Sequence, residues 1–208
     1  MKPLTIIMTS CDRWDLFTQT LDSFFALNTY PYVAFHVHND STNAIPIEIK
    51  QRYSDKGITW HEGVKRGLSG AWDYLVDLVD TEYFFNLEDD WLFEGNANFM
   101  ADSFELMHLC YQVWVRGEKD HQHPLGEVYA RNGVPFKDVI EWGDWCGFSF
   151  NPSLRSKFDW VRLFPDGING KDEIELSRMV ENYYNTMSLV NSACRHIGNG
   201  RHTKDFKI

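Results

Sequence analysis

The sequence is short of cysteine and of positive charge, and it has no long apolar run. Its 208 residues include four cysteines, Cys11, Cys110, Cys146 and Cys194, widely spaced and without a Cys-x-x-Cys pair. That excludes a zinc ribbon or a redox dithiol and reads as reduced core thiols. With 20 Lys and Arg against 30 Asp and Glu the formal charge is −10, so the basic face that a nucleic-acid backbone requires is missing. No apolar stretch approaches the length of a membrane span, and Met1 to Thr9 has the pattern of a strand rather than of a signal peptide. The expectation is a soluble cytoplasmic protein. Neither Gly-x-Gly-x-x-Gly nor Gly-x-x-x-x-Gly-Lys-Ser/Thr occurs, which weakens dehydrogenase and NTPase readings. What the chain does hold is 43% hydrophobic and 15% aromatic residues, enough for the core of one α/β domain.

Leu4 to Thr9 predicts a first strand, and Arg13 to Leu27 a helix capped by Asp12, with Phe17, Leu21, Phe24 and Phe25 on one face. Tyr32 to His38 alternates as a second strand ending in Asn39-Asp40-Ser41-Thr42. A helix from Ile45 to about Tyr53 and a short strand from Gly57 to His61 follow. Gly67-Leu68-Ser69-Gly70-Ala71-Trp72 then opens a regular helix whose apolar side is Leu68, Ala71, Trp72, Leu75, Val76 and Val79. Strand and helix alternating in this way predict a mostly parallel sheet with helices on its faces. Further on, the pattern predicts a helix from Asn96 to about Arg116, a flap or hairpin between Gly117 and Asp144, and a strand from Trp145 to Phe150. A helix start at Asn151-Pro152-Ser153 and a last helix from Asp172 to about Met187 complete the reading.

Tyr83 to Leu87 is aromatic and too short for a helix with its own apolar face, so it reads as a buried strand, and Glu88, Asp89 and Asp90 stand at its carboxyl end. In an open α/β sheet that is where ligands are met. In an extended chain Glu88 and Asp90 point to one side and Asp89 to the other. Two converging carboxylates select a hard divalent cation, Mg²⁺ or Mn²⁺. The competing account is a solvated acidic turn that caps the next helix.

From Leu4 to His202 this order of features resembles the GT-A fold nucleotide-diphospho-sugar glycosyltransferases, particularly those similar to glycosyltransferase family 2. The helix opened by Gly67-Leu68-Ser69-Gly70-Ala71-Trp72, followed by Tyr83-Phe84-Phe85-Asn86-Leu87-Glu88-Asp89-Asp90, is similar to that family's helix, strand and Asp-x-Asp motif, with Glu in place of the first Asp. The resemblance implies an α/β GT-A fold with a mostly parallel central sheet and flanking helices. It implies one domain, with about residues 1–95 as the nucleotide-sugar half and about 96–208 as the acceptor half. Its activity would be metal-dependent transfer of a sugar, from a UDP-sugar by preference, to an acceptor hydroxyl with inversion. Asp90 would then bind Mn²⁺ or Mg²⁺, with Glu88 as helper and Asp89 beside them at the donor. Thr9 and Ser10 would line the base or ribose pocket, and Arg66 and Gly67 would meet the donor. Asp40 would contact the base, although a local Asx turn accounts for it equally well.

Asp172-Glu173-Ile174-Glu175-Leu176 is similar to the family's stretch that carries the base of inverting enzymes, with the two acids swapped in type. Position for position Glu173 is the base and Asp172 the fallback; ordinary acids in a first helical turn are the alternative. Trp142 and Trp145 are candidates for an acceptor platform, against simple core packing. His196 is favoured over His202 as a further metal ligand. The rival readings are a non-catalytic carbohydrate- or nucleotide-binding protein, a sugar-nucleotide pyrophosphorylase and, less favoured, a glycoside hydrolase.

Overall fold

The computed structural model describes residues 1–117, 120, 125–140, 147–180 and 185–198. The first part of the chain forms β1 (Leu4–Ser10), α1 (Trp14–Leu27), β2 (Ala34–Asn39), α2 (Ile47–Arg52), β3 (Ile58–His61), α3 (Gly67–Asp77), β4 (Tyr83–Glu88) and β5 (Trp91–Phe93). The second forms α4 (Phe99–Leu106), β6 (Gln112–Trp114), β7 (Leu125–Arg131), β8 (Val134–Val139), β9 (Ser153–Ser156), α5 (Lys157–Leu163), α6 (Glu173–Val180), β10 (Thr186–Leu189) and β11 (Cys194–His196).

Nine strands make one sheet in the order β3-β2-β1-β4-β9-β6-β10-β8-β7, and β11 pairs with β5 in a small second sheet. The strands β3, β2, β1 and β4 are parallel, as the alternating pattern predicts. Beyond them the sheet is mixed, because β9 runs antiparallel between β4 and β6, and β8 antiparallel to β10.

Period-two alternation sends each strand's side chains into two cores. On one face Leu4, Ile6 and Met8 of β1 and Phe85 and Leu87 of β4 meet Phe17, Leu21 and Phe24 of α1 and Phe99 of α4. On the other, Ile7 and Phe84 meet Trp72, Leu75 and Val76 of α3, Trp160 of α5 and Leu176 of α6. Trp72 and Trp160 stack there at 5.3 Å between ring centroids. The helices α3 and α6, which lie far apart in sequence, are thereby fixed on the same face.

Several expected elements fall elsewhere. The helix predicted from Asn96 to Arg116 stops at Leu106, and its second half is β6. Val113 and Val115 of that segment enter the first core, whereas Gln112 bonds on the other face to Ser149 and Ser153. Residues 147–150 form no strand, and the segment expected to start a helix is β9 instead. α5 begins after Ser156, whose hydroxyl accepts the Asp159 amide at 3.1 Å, a cap worth about 1 kcal/mol. Met187, expected in the last helix, lies in β10. The hairpin expected between Gly117 and Asp144 is present as β7 and β8. Asp12 does not cap α1; its carboxylate accepts from Ser41 and Asn43 at 2.6 and 3.0 Å and braces the loop after β2. Cys11, Cys110 and Cys194 are free thiols. Among the described residues no helix is long and apolar enough to cross a membrane.

Candidate active site

A cleft of about 700 Å³ opens at the carboxyl ends of β1 and β4 and is closed on the far side by the start of α6. Strand register brings its first wall together: Thr9 of β1 pairs with Glu88 of β4, and Ser10 with Asn39 of β2. Thr9, Ser10, Asp40, Gly67, Glu88, Asp89, Asp90, Asp172, Glu173 and His196 all line it, so most of the residues singled out in the sequence converge. Arg66 is not among the lining residues; its guanidinium lies 4.2 Å from the Tyr74 ring centroid, and its neighbour Lys65 lines the cleft instead. Trp142, Trp145 and His202 lie outside the described residues.

The alternation expected for the three acids fails after Glu88, because β4 ends there and Asp89 and Asp90 form a turn. Both reach the Arg13 guanidinium: Nη1 donates to Asp90 Oδ2 at 2.7 Å and Nη2 to Asp89 Oδ1. Asp89 also accepts from the Ser10 hydroxyl at 3.1 Å and the Cys11 amide at 3.2 Å. Burial still pushes its carboxyl up to about 6, because the Arg13 ion pair offsets only part of the desolvation cost. Asp90 behaves differently. Burial raises it, but His196 and Arg13 together outweigh that and hold it below the usual carboxylate range.

Glu88 carries the largest upward shift of the three, to about 8, from burial first and then from the charges of Asp90 and Glu173. Its only hydrogen-bond donor among the described residues is Trp91 Nε1 at 3.3 Å. Arg13 is one residue that sequence reasoning missed. Its place one step before α1 and the excess of acids at β4 were the available signal, but nothing local pairs residues so far apart.

His196 arrives from the far end of the chain because β11 pairs antiparallel with β5, placing His196 opposite Trp91. Its Nε2 stands 3.3 Å from Asp90 Oδ2. The following segment folds over the same carboxylate, with the Ile197 amide donating to the Asp90 carbonyl at 2.8 Å. Any side chain at position 198 would strike the Asp90 carboxylate, which explains Gly198.

These atoms suit a divalent cation. Adjacent ligands of an octahedral ion with bonds near 2.1 Å lie about 3 Å apart, close to the Asp90 to His196 separation. Burial and the neighbouring acids raise the Glu88 carboxyl, and a divalent ion beside it would favour its ionised form. Among the described residues no group of three or more His, Cys, Asp and Glu side chains would hold a metal unaided. An ion there would need further ligands from outside these side chains, as Mg²⁺ commonly takes from water or a bound molecule.

Asp40 neither stays a local Asx turn nor projects freely. Its Oδ1 accepts the backbone amides of Arg66 and Gly67, the latter at 3.0 Å, and so caps α3 from the loop that follows β2. Gly67 takes φ +72°, a conformation that a side chain would strain.

On the opposite wall Asp172 and Glu175 form a reciprocal cap: Glu175 N donates to Asp172 Oδ1 at 2.9 Å and Asp172 N to Glu175 Oε2 at 3.1 Å. Asp172 Oδ1 is thus engaged in closing the helix. Glu173 is free of that task. Its Oε1 accepts from the Ser149 hydroxyl at 3.0 Å and the Phe150 amide at 2.7 Å, while Oε2 has no hydrogen-bond partner among the described residues. Ser149, unnoticed in the sequence, orients Glu173; its own carbonyl is fixed by Gln112 and Arg155. Lys171, beside the acids, also lines the cleft.

No protein-family model matches the chain, and no curated protein matches its sequence. Solved structures do match. TarS residues 1–349 of S. aureus superpose with a TM-score of 0.64 at 13% identity, covering 95% of this chain and 61% of that one. This chain has the GT-A fold. TarS in complex with UDP-GlcNAc gives 0.63 at 12% identity, covering 94% and 58%. The mannosyltransferase PcManGT of Pyrobaculum calidifontis, in complex with GDP-Man and Mn²⁺, gives 0.65 at 13%, covering 95% and 57%. The chain thus spans about three fifths of the length of these GT-A structures.

Proposed function

We propose that the protein is a metal-dependent glycosyltransferase that moves a sugar from a nucleoside-diphosphate donor, with UDP favoured, to an acceptor hydroxyl with inversion at the anomeric carbon. The observation that carries this reading is the convergence, across one cleft, of a charge-held Asp90 with His196 on one wall and a Glu173 with an unengaged oxygen on the other. Donor complexes of the GT-A structures that share the fold support it.

In this reading Thr9, Ser10 and Asp40 border the nucleoside, residues 1–95 form the donor half, and Asp90 and His196 with Glu88 hold Mn²⁺ or Mg²⁺. A divalent ion held there would offset the negative charge that the diphosphate gains as the bond to the sugar breaks. Arg13, Lys65 and Lys171 add fixed positive charge around the same leaving group. Glu173 Oε2 takes the acceptor's hydroxyl proton as that oxygen bonds to the anomeric carbon, and the bonding pair departs with the diphosphate. Ser149 and the Phe150 amide keep the carboxylate aimed while this happens.

Calorimetric titration of UDP and GDP, in Mn²⁺ and in EDTA, tests the donor site. Metal-dependent binding that is lost in Asp90→Asn is the expected result. Absence of nucleotide binding in both conditions returns the acids to a structural turn and favours a carbohydrate-binding or hydrolytic role.

A further inference from the structure

One step below the cleft, a buried cluster of polar side chains joins its two walls. Asn86 of β4 is fully buried and stands two residues before Glu88, so by alternation both side chains leave the same face of the sheet. Antiparallel pairing sets Asn86 opposite Ser153 of β9. All four hydrogen-bonding positions of its carboxamide are used. Nδ2 donates to the carbonyls of Phe150 and Asn151 at 2.6 and 2.9 Å, and Oδ1 accepts from Ser153 Oγ at 2.7 Å and Arg155 Nε at 3.0 Å.

The segment that Asn86 grips is the one that grips Glu173. Arg155, placed by Asn86 Oδ1, donates through Nη2 to the Ser149 carbonyl, which Gln112 Nε2 also reaches at 2.8 Å. In a trans peptide the carbonyl and the N–H point opposite ways. Holding the Ser149 carbonyl from below therefore turns the Phe150 amide of the same peptide toward Glu173 Oε1, 2.7 Å away. In the next peptide Asn86 holds the Phe150 carbonyl, while the Asn151 amide meets Ser149 Oγ at 3.3 Å, the hydroxyl that donates to the same Glu173 oxygen at 3.0 Å. Residues 149–151 lie in neither helix nor strand, so these bonds take the place of a backbone ladder in fixing their peptide planes. The pattern calls for an amide: aspartate would withdraw both donors from the two carbonyls, and leucine would leave the carbonyls and the guanidinium unpaired.

We propose that Asn86 is a positioning residue for Glu173: its carboxamide fixes the 149–151 segment against β4, and thereby the place of the Glu173 carboxylate relative to the acids at the end of that strand. Its part in the reaction rests on Glu173 being the base of a glycosyl transfer. The span between the donor wall and the base is then set by one buried amide, in direct line with Glu88. A shift of about 1 Å in such a span costs about 10²-fold in rate, which is reason enough to build it from a fully bonded side chain.

Two variants test it: Asn86→Asp removes the donors and keeps the Arg155 contact, and Asn86→Ser leaves room for water under the same carbonyls. Hydrogen exchange at the Phe150 amide, followed by NMR, should quicken at least about tenfold in either variant while the amides of β1 keep their rates. An unchanged Phe150 rate overturns the proposal, whether or not sugar is transferred. UDP release from UDP-glucose, UDP-galactose and UDP-GlcNAc with Mn²⁺ present gives the second readout. Its kcat should fall about 10- to 10²-fold with the Kd of UDP unchanged, and Asn86→Asp should bring no further loss in a Glu173→Gln background, because both act through one carboxylate. A full kcat, or losses that multiply, would assign Asn86 to the fold alone and overturn the proposal. Absence of UDP release by the wild type, with Phe150 exchange still quickened in the variants, would count against the transfer reading and leave the hold of Asn86 on Glu173 standing.

Discussion

On the β4 wall of the cleft Asp89 and Asp90 are held by charge, through Arg13 and His196, whereas on the α6 wall Glu173 is held through one oxygen by a neutral hydroxyl and an amide. Four residues of one chemical kind, Asp89, Asp90, Asp172 and Glu173, therefore have different surroundings. Arg13 ties Asp89 into the fold, Asp90 is kept ionised by His196 and Arg13, Asp172 closes a helix, and Glu173 keeps one oxygen free of hydrogen bonds. Environment rather than residue type separates them.

The contrast is broken most severely at Glu173. Glu173→Gln should preserve both hydrogen-bond acceptance at one atom and UDP binding, yet lower sugar transfer by about 10²- to 10⁴-fold, the usual share of a general base. Single-turnover assays beside UDP titration check this; a loss seen mainly as weaker UDP binding would move Glu173 to the donor wall.

The β4 wall is tested by Arg13→Met, which leaves Asp89 buried without its cation. Stability should fall by about 3–5 kcal/mol, as when one partner of a buried pair is removed. Urea denaturation measures it, and a change below about 1 kcal/mol, the scale of an exposed ion pair, would show that Ser10 and the Cys11 amide suffice.

The smallest effect lies at the outer end of the same wall, where His38 stands 3.7 Å from Asp40 and His36 Nδ1 lies 3.2 Å from His61 Nε2. Burial holds all three histidines below their ordinary value of 6.5. Below that pH the unfolded chain binds more protons than the folded one, so their contribution is present above 6.5 and is lost as the pH falls. Glu88 and Asp89, raised by burial, act in the opposite direction over the same range, so the histidine share is read against His38→Gln. Relative to that variant the wild-type Tm should fall between about pH 7.5 and 5.5, and an unchanged slope in the variant would remove His38 from the effect.

Much of the parallel half was legible. Leu4 to Thr9, the face of α3 and the aromatic run ending at Glu88 each carry a local period, and helices between parallel strands leave little freedom in how they connect. Residues 107–116 misled because Met107, Cys110, Val113 and Trp114 fit a helical stripe as well as a strand. The antiparallel neighbour β9 decided the matter by supplying hydrogen bonds from a distant segment. The same holds for Met187, which extends a helical stripe in sequence and completes a strand beside β6 in space.

The sequence by itself determined that acids end a buried strand, that glycine opens the helix before it, and that a second acidic cluster begins a late helix, because those are properties of neighbouring residues. Only the tertiary structure decided that Arg13 clasps Asp89 and Asp90, that Asp40 caps α3 across a gap of 26 residues, and that Ser149 leaves one oxygen of Glu173 unengaged. Each of these depends on strand order and register, which place side chains distant in sequence within bonding distance, and no local period encodes that placement.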